Sequence, residues 1–112
     1  MRDLSDAGRG PDGSVGEAWW REHLRTEDLS VGTYVVPAGG EDPQDPHTED
    51  EIYVVVAGRA VIAGPAEVIP VASGSVIFVA AGEEHRFEQV EEDLVVLVVF
   101  GPAEGTREPG SS

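Results

Sequence analysis

The chain has 112 residues, 22 acidic against 7 basic, with no cysteine and 40 % apolar residues. That length supports one hydrophobic core. The lack of cysteine excludes disulfides, thiolate metal sites and a cysteine nucleophile, and a formal net charge of −15 argues against nucleic acid or a membrane surface as a partner.

Residues 1–13, rich in Gly, Pro, Asp and Ser, read as a disordered tail. The opening Met1-Arg2-Asp3-Leu4-Ser5-Asp6 lacks the apolar stretch of a signal peptide, so a cytoplasmic location is expected. Ser14–Arg21 offers the helix candidate, with Ser14 as cap and Glu17 three residues on. A strand starting at Trp19 is the preferred reading of the same stretch, and it sends Trp19 and Trp20 to opposite faces. Short runs rich in Val and Ile follow and read as strands: Trp19–Thr26, Leu29–Pro37, Glu51–Ala57, Arg59–Ala63, Glu67–Val71, Ser75–Val79, Glu84–Val90 and Leu94–Phe100. Gly39-Gly40, Gly58, Gly64-Pro65, Ser73-Gly74, Ala81-Gly82 and the charged corner Glu91-Glu92-Asp93 mark the turns between them. Pro102–Ser112 reads as a second disordered tail, which leaves residues 14–101 as one domain. This procession of short strands predicts an all-β sandwich or barrel.

Alternation along a strand assigns faces. Between 45 and 57 one face carries Asp45, His47, Glu49, Glu51, Tyr53 and Val55; between 85 and 89 the matching face carries His85, Phe87 and Gln89. With these faces inward, acids and imidazoles near one mouth give way to Tyr53, Phe87 and valines deeper down. That is the make-up of a small-molecule pocket. The run Leu94–Phe100 is apolar on both faces and needs cover from a second sheet or another subunit. Together with the Trp19–Thr26 strand it predicts a homodimer.

His47 and Glu51, with His85 34 residues beyond Glu51, supply two imidazoles and a carboxylate on neighbouring strands. Such a set could hold one divalent metal with coordination positions left open. Residues 41–51 carry six acids and residues 83–93 six more, a concentration of negative charge in the same two windows. No Gly-rich phosphate loop and no Gly-x-Ser-x-Gly nucleophile elbow is present.

These two stretches resemble the paired motifs of the cupin superfamily. In the first, Gly39 or Gly40 opens the loop, and His47, Glu51 and Gly58 hold the motif positions; in the second, Gly74, Gly82 and His85 match in register. The chain is similar to the small single-domain bacterial cupins with a Pro-His-x-x-Asp-Glu first motif and a Gly-x-x-His second motif. Ala80 and Gln89 replace the second motif's proline and asparagine, and Asp45 stands where the family has the first histidine of its His-x-His pair. The resemblance implies a double-stranded β-helix, or jelly-roll barrel. It also implies one divalent metal per chain (Fe, Mn, Zn or Ni), held by His47, Glu51, His85 and Asp45, with Gln44 or Glu49 as substitutes for Asp45. The expected activity is that of a metal-dependent enzyme, dioxygenase-like, on a small organic molecule, with Glu51 and Tyr53 as catalytic residues. An isomerase, cyclase or lyase on the same scaffold, or a non-catalytic ligand- or metal-binding module, are the alternatives.

Overall fold

The computed structural model describes residues 1–13, 15–43 and 46–106. Its strands are β1 (Trp19–Arg25), β2 (Ser30–Val36), β3 (Asp50–Ala63), β4 (Val68–Ala72), β5 (Val76–Val79) and β6 (Arg86–Gly101), all paired antiparallel. They run in the order β1-β2-β6-β3-β4, with β5 also paired to β3. The start of β3 lies between β5 and the end of β6, and its far end lies between β4 and the start of β6. Because β3 and β6 bend midway, these two pairings face one another as the two walls of a jelly roll. The strand from Trp19 forms; Ser14, the cap of the helix alternative, lies outside the described residues.

Two expected turns are bends instead. Gly58 was expected to separate two strands, and Glu91-Glu92-Asp93 another two; each pair is one continuous strand. The β3–β6 ladder slips three times between Val55 and Val61, and from Arg59↔Glu92 to Val61↔Glu88 two steps along β3 match four along β6. These bulges absorb the curvature that a turn would otherwise supply. Gly58 has φ +94, and a Cβ there would stand 2.4 Å from the Asp93 carbonyl oxygen and 2.8 Å from Leu94 Cα. The two bends therefore touch backbone to backbone, and glycine alone fits.

Inward-facing Tyr34, Val36, Tyr53, Val55, Phe87, Leu94, Val96, Val98 and Phe100 build the core. Every second residue of β6 from Leu94 to Phe100 is at most 1 % exposed, as alternation requires. The N-terminal segment covers part of the outer face. A short 3₁₀ helix, Ser5–Gly8, buries Ala7, whose carbonyl accepts a 2.5 Å hydrogen bond from Thr33 Oγ1. That hydroxyl in turn accepts from His23 Nε2 at 2.8 Å. Gly10 lies over Val35 and Val95. Residues read from composition as a tail thus lie on the outer side of β2 and β6, and supply some of the cover that the two-sided apolar run demands.

Replacing Gly58 with alanine combines a left-handed backbone with a clash against main chain. We expect Gly58→Ala to destabilise the fold by about 2–4 kcal/mol. Urea denaturation checks this; a midpoint unchanged from the parent would show that the two bends do not meet as described.

Candidate functional site

The inner faces of β1, β2, β3 and β6, with flanking loop residues, line an open-mouthed cavity of about 280 Å³. Its rings are Trp20, Tyr34, Tyr53 and Phe100; its polar groups include His47, Glu51 and Glu104. Trp20 meets Tyr34 and Phe100 edge-on, with ring centres 6.5 and 6.1 Å away. It reaches that position across Gly32, where a Cβ would come within 2.3 Å of the indole. His47 packs edge-on against Phe100 at 4.7 Å.

Strand pairing sets the polar groups in depth. Glu51 pairs with Phe100 on one side and Val79 on the other, and is 2 % exposed. Tyr53, two residues on, shares its face. His85 sits just before β6, with Nδ1 2.8 Å from the Glu83 carbonyl and Nε2 2.9 Å from the Tyr53 hydroxyl. Nε2 also lies 3.1 Å from Glu51 Oε1. Among the described residues neither Glu51 oxygen takes part in a hydrogen bond, so that contact is one of charge: Nε2 is directed at Tyr53. His85 does not line the cavity itself; it stands against Tyr53 and Glu51, which do.

Among the described residues three carboxylates are buried, and they differ in one respect. Asp42 accepts from the Tyr34 hydroxyl at 2.5 Å and from the Phe87 amide at 2.9 Å. Glu49 accepts from the Thr48 hydroxyl and from the Gly105 amide, the latter at 2.7 Å. Glu51 accepts from none. Among the described residues its charge is met only by the His85 imidazole, 3.1 Å away.

The electrostatics follow from this placement. Burial alone would lower the His85 pKa; Glu51 beside it, the Glu83 carbonyl and the charge of Asp42 outweigh burial and lift it above its ordinary 6.5. Burial, and then Asp42, push the Tyr34 hydroxyl far up. Glu104 is raised by its own burial, opposed by His47 and Arg25 and reinforced by Glu22 and Glu49.

The structure brings His47, Glu51, Tyr53 and His85 to one end of the barrel. The two imidazole ring centres are 6.3 Å apart. Among the described residues no three His, Asp or Glu side chains are gathered as a ready metal site. Asp45 and Gln44 lie outside the described residues. Glu49, the other substitute ligand, is held by Thr48 and Gly105. A metal is nevertheless compatible with the residues present: two imidazoles and a carboxylate suit a divalent cation, and both oxygens of that carboxylate are buried without a hydrogen bond. Two contributors went unread in the sequence. Asp42 is one acid within an acidic loop, and nothing local marks it as buried. Glu104 falls in the segment read as a tail.

A cupin domain model matches residues 32–100. The chain belongs to the cupin family. An uncharacterized protein of Streptomyces coelicolor is 51 % identical over 83 residues, which cover 74 % of this chain and 79 % of that one. Among solved structures, an RmlC-like cupin of Desulfovibrio desulfuricans superposes with a TM-score of 0.72 at 24 % identity, covering 92 % of this chain and 96 % of that one. KdgF from a Halomonas species gives 0.72 at 19 % identity, over 88 % and 92 %. At these identities the solved structures establish the fold: a double-stranded β-helix. No helix among the described residues is long and apolar enough to cross a membrane.

The raised His85 pKa has a signed consequence for metal-free protein. A group whose pKa is higher folded than unfolded stabilises the fold fully below its unfolded value and loses that contribution as pH rises through its folded value. In EDTA, the His85 ring resonances should therefore titrate with a midpoint above 6.5. The stability difference between parent and His85→Gln should be largest at acidic pH and shrink as pH rises through that midpoint. A midpoint at or below 6.5 would show that Glu51 does not hold the proton on His85.

Proposed function

We propose that this cupin binds one divalent metal through His47, Glu51 and His85 and acts as a metal-dependent enzyme on a small organic molecule, with dioxygenase-like chemistry the leading class. The observation that carries the reading is the Glu51 carboxylate, buried with no hydrogen-bond donor among the described residues and with only the His85 imidazole 3.1 Å away to offset its charge. Asp42 and Glu49, equally buried, each accept hydrogen bonds; Glu51 lines the cavity and accepts none. A cation bound there would supply the missing partner. When bound, it would supply Lewis-acid polarisation of a ligand oxygen or a site for dioxygen.

The chain's own residues do the rest. The rings of Trp20, Tyr34 and Phe100 give a molecule an apolar surface to lie against and exclude water from around it. Tyr53 lines the cavity and touches His85 Nε2 through its hydroxyl. Its hydroxyl is therefore the group placed to give or take a proton at a bound molecule. His85 Nδ1 faces the Glu83 carbonyl, which fixes the ring and aims Nε2 inward.

Protein purified without chelator or affinity tag should carry about one Fe, Mn, Zn or Ni per chain. Metal at about 100 times its Kd should stabilise the fold by about 2.7 kcal/mol, or about 10–20 °C in a domain of this size. His47→Ala should lose both the metal and the shift. Metal analysis with thermal melts decides it: a parent protein without stoichiometric metal, and with no shift from any of the four ions, refutes the reading. Oxygen uptake by the iron-loaded protein over diketones, phenols and thiols then separates an oxygenase from an isomerase, lyase or binding module.

We also propose a homodimer. On the outer face Phe78 and Val76 of β5 lie beside Ile52 and Val54 of β3, which lie beside Val99 and Leu97 of β6. Phe78 and Val76 are 60 and 64 % exposed. This row of six apolar side chains carries no charge, in a molecule whose net charge of −15 otherwise keeps copies apart. Light scattering should give about twice 11.9 kDa, and Phe78→Glu should return the monomer. A parent that is already monomeric at micromolar concentration rules the dimer out.

A further inference from the structure

The turn after β6 is anchored as part of the site. The Glu104 amide donates to Ser30 Oγ at 2.9 Å, and the Gly105 amide donates to Glu49 Oε1 at 2.7 Å. Ser30 and Glu49 are at most 1 % exposed, and Ala103 is buried with them. Two buried side chains, one of them a carboxylate, thus hold two consecutive amides against the barrel. The side chain carried at the centre of this anchored turn is Glu104. It lines the cavity, and its Oε2 lies 3.6 Å from His47 Nδ1. Phe100 packs edge-on against the same imidazole.

We propose that Glu104 is a positioning residue, whose carboxylate fixes the tautomer and orientation of His47 from the turn that follows the barrel's last strand. At 3.6 Å the contact is one of charge, and it favours the ring with its proton on Nδ1, toward Glu104. His85 is treated the same way by a different group: its Nδ1 faces the Glu83 carbonyl. Both imidazoles of the proposed set therefore have Nδ1 facing an oxygen acceptor, one a backbone carbonyl and the other a carboxylate delivered from the turn beyond the last strand. Carboxylate or carbonyl partners of this kind orient metal-ligating histidines, and losing one typically weakens metal affinity about 10–100-fold. The consequence for metal rests on the ligand role proposed above for His47; the assignment of the tautomer does not.

The test uses the full chain and two readouts. In metal-free parent at pH 8, long-range proton–nitrogen NMR correlations should show His47 as the Nδ1–H tautomer. Glu104→Leu should move it toward Nε2–H, while Glu104→Gln, whose carbonyl oxygen still accepts, should keep Nδ1–H. Isothermal titration with Mn²⁺ should show about 10–100-fold weaker binding for Glu104→Leu than for the parent. The metal-free melting temperatures should stay close, because backbone amides hold the turn. His47 as Nε2–H in the parent, or the same tautomer in parent and Glu104→Leu, overturns the proposal. So does equal Mn²⁺ affinity of parent and Glu104→Leu where His47→Ala has lost the metal. Should the parent bind no Mn²⁺, Fe²⁺, Zn²⁺ or Ni²⁺, the metal reading fails while the tautomer comparison still decides this one.

Discussion

The structure turns on a carboxylate placed where an unpaired charge is most costly. Glu51 is at the start of β3, 2 % exposed, between Phe100 and Val79. A barrel built for stability alone would place a valine there, as the chain does at Val55 four residues on. The nearest group of opposite potential charge is His85, and its ring is aimed at Tyr53. In the metal-free molecule the charge is offset by drawing a proton onto His85, which is why that imidazole's pKa rises despite burial. The interior thus favours positive charge beside Glu51, which the His85 imidazole meets by holding its proton more tightly.

The bends of β3 and β6 make this juxtaposition possible. A straight strand of 14 residues could not have both its ends inside one barrel. The bulges near Gly58 and Asp93 fold β3 so that Glu51 and Tyr53 lie in one wall and Ile62 faces the core from the other. His85 and Phe87 precede the bend in β6, and Val98 and Phe100 follow it, so one strand also brings histidine and aromatic wall together. Contact of Gly58 with the Asp93 backbone joins the two bends at their closest point. A methyl group at residue 58 would act on the site through the curvature of both strands.

Much of this was legible from period-two alternation, because burial on one face leaves a regular trace. Tyr53, Val55, Phe87 and the inner residues of Leu94–Phe100 all face the core as the pattern implies. The spacing of His47, Glu51 and His85 pointed to one end of one barrel, where the structure places them. The bends were misread because glycine and a run of three acids look alike whether they end a strand or let it slip register; only the partner strand decides. The N-terminal segment and the turn at 102–106 were misread for a related reason. Their composition cannot bury a core, but the first is held by Thr33 on the outer side of β2 and the second by Ser30 and Glu49, and composition carries no trace of those contacts. Asp42 was hidden among neighbouring acids, its burial set by Tyr34 and the Phe87 amide, both distant in the chain.

The family fold leaves the chemistry open, since function belongs to the site, and the comparison among buried acids narrows it. Desolvation falls on all three alike, so burial alone cannot explain why Asp42 and Glu49 receive donors and Glu51 receives none. Tyr34 and Phe87 order the middle of the barrel through Asp42. Gly105, through Glu49, holds the closing turn that carries Glu104. The first two carboxylates organise the protein; the third faces the cavity. In a chain with 22 acids, location and partners separate the structural from the functional ones. Glu51, which lines the cavity, sits beside an imidazole and lacks a hydrogen-bond donor among the described residues, is the acid to which the proposed function assigns a partner from outside the chain.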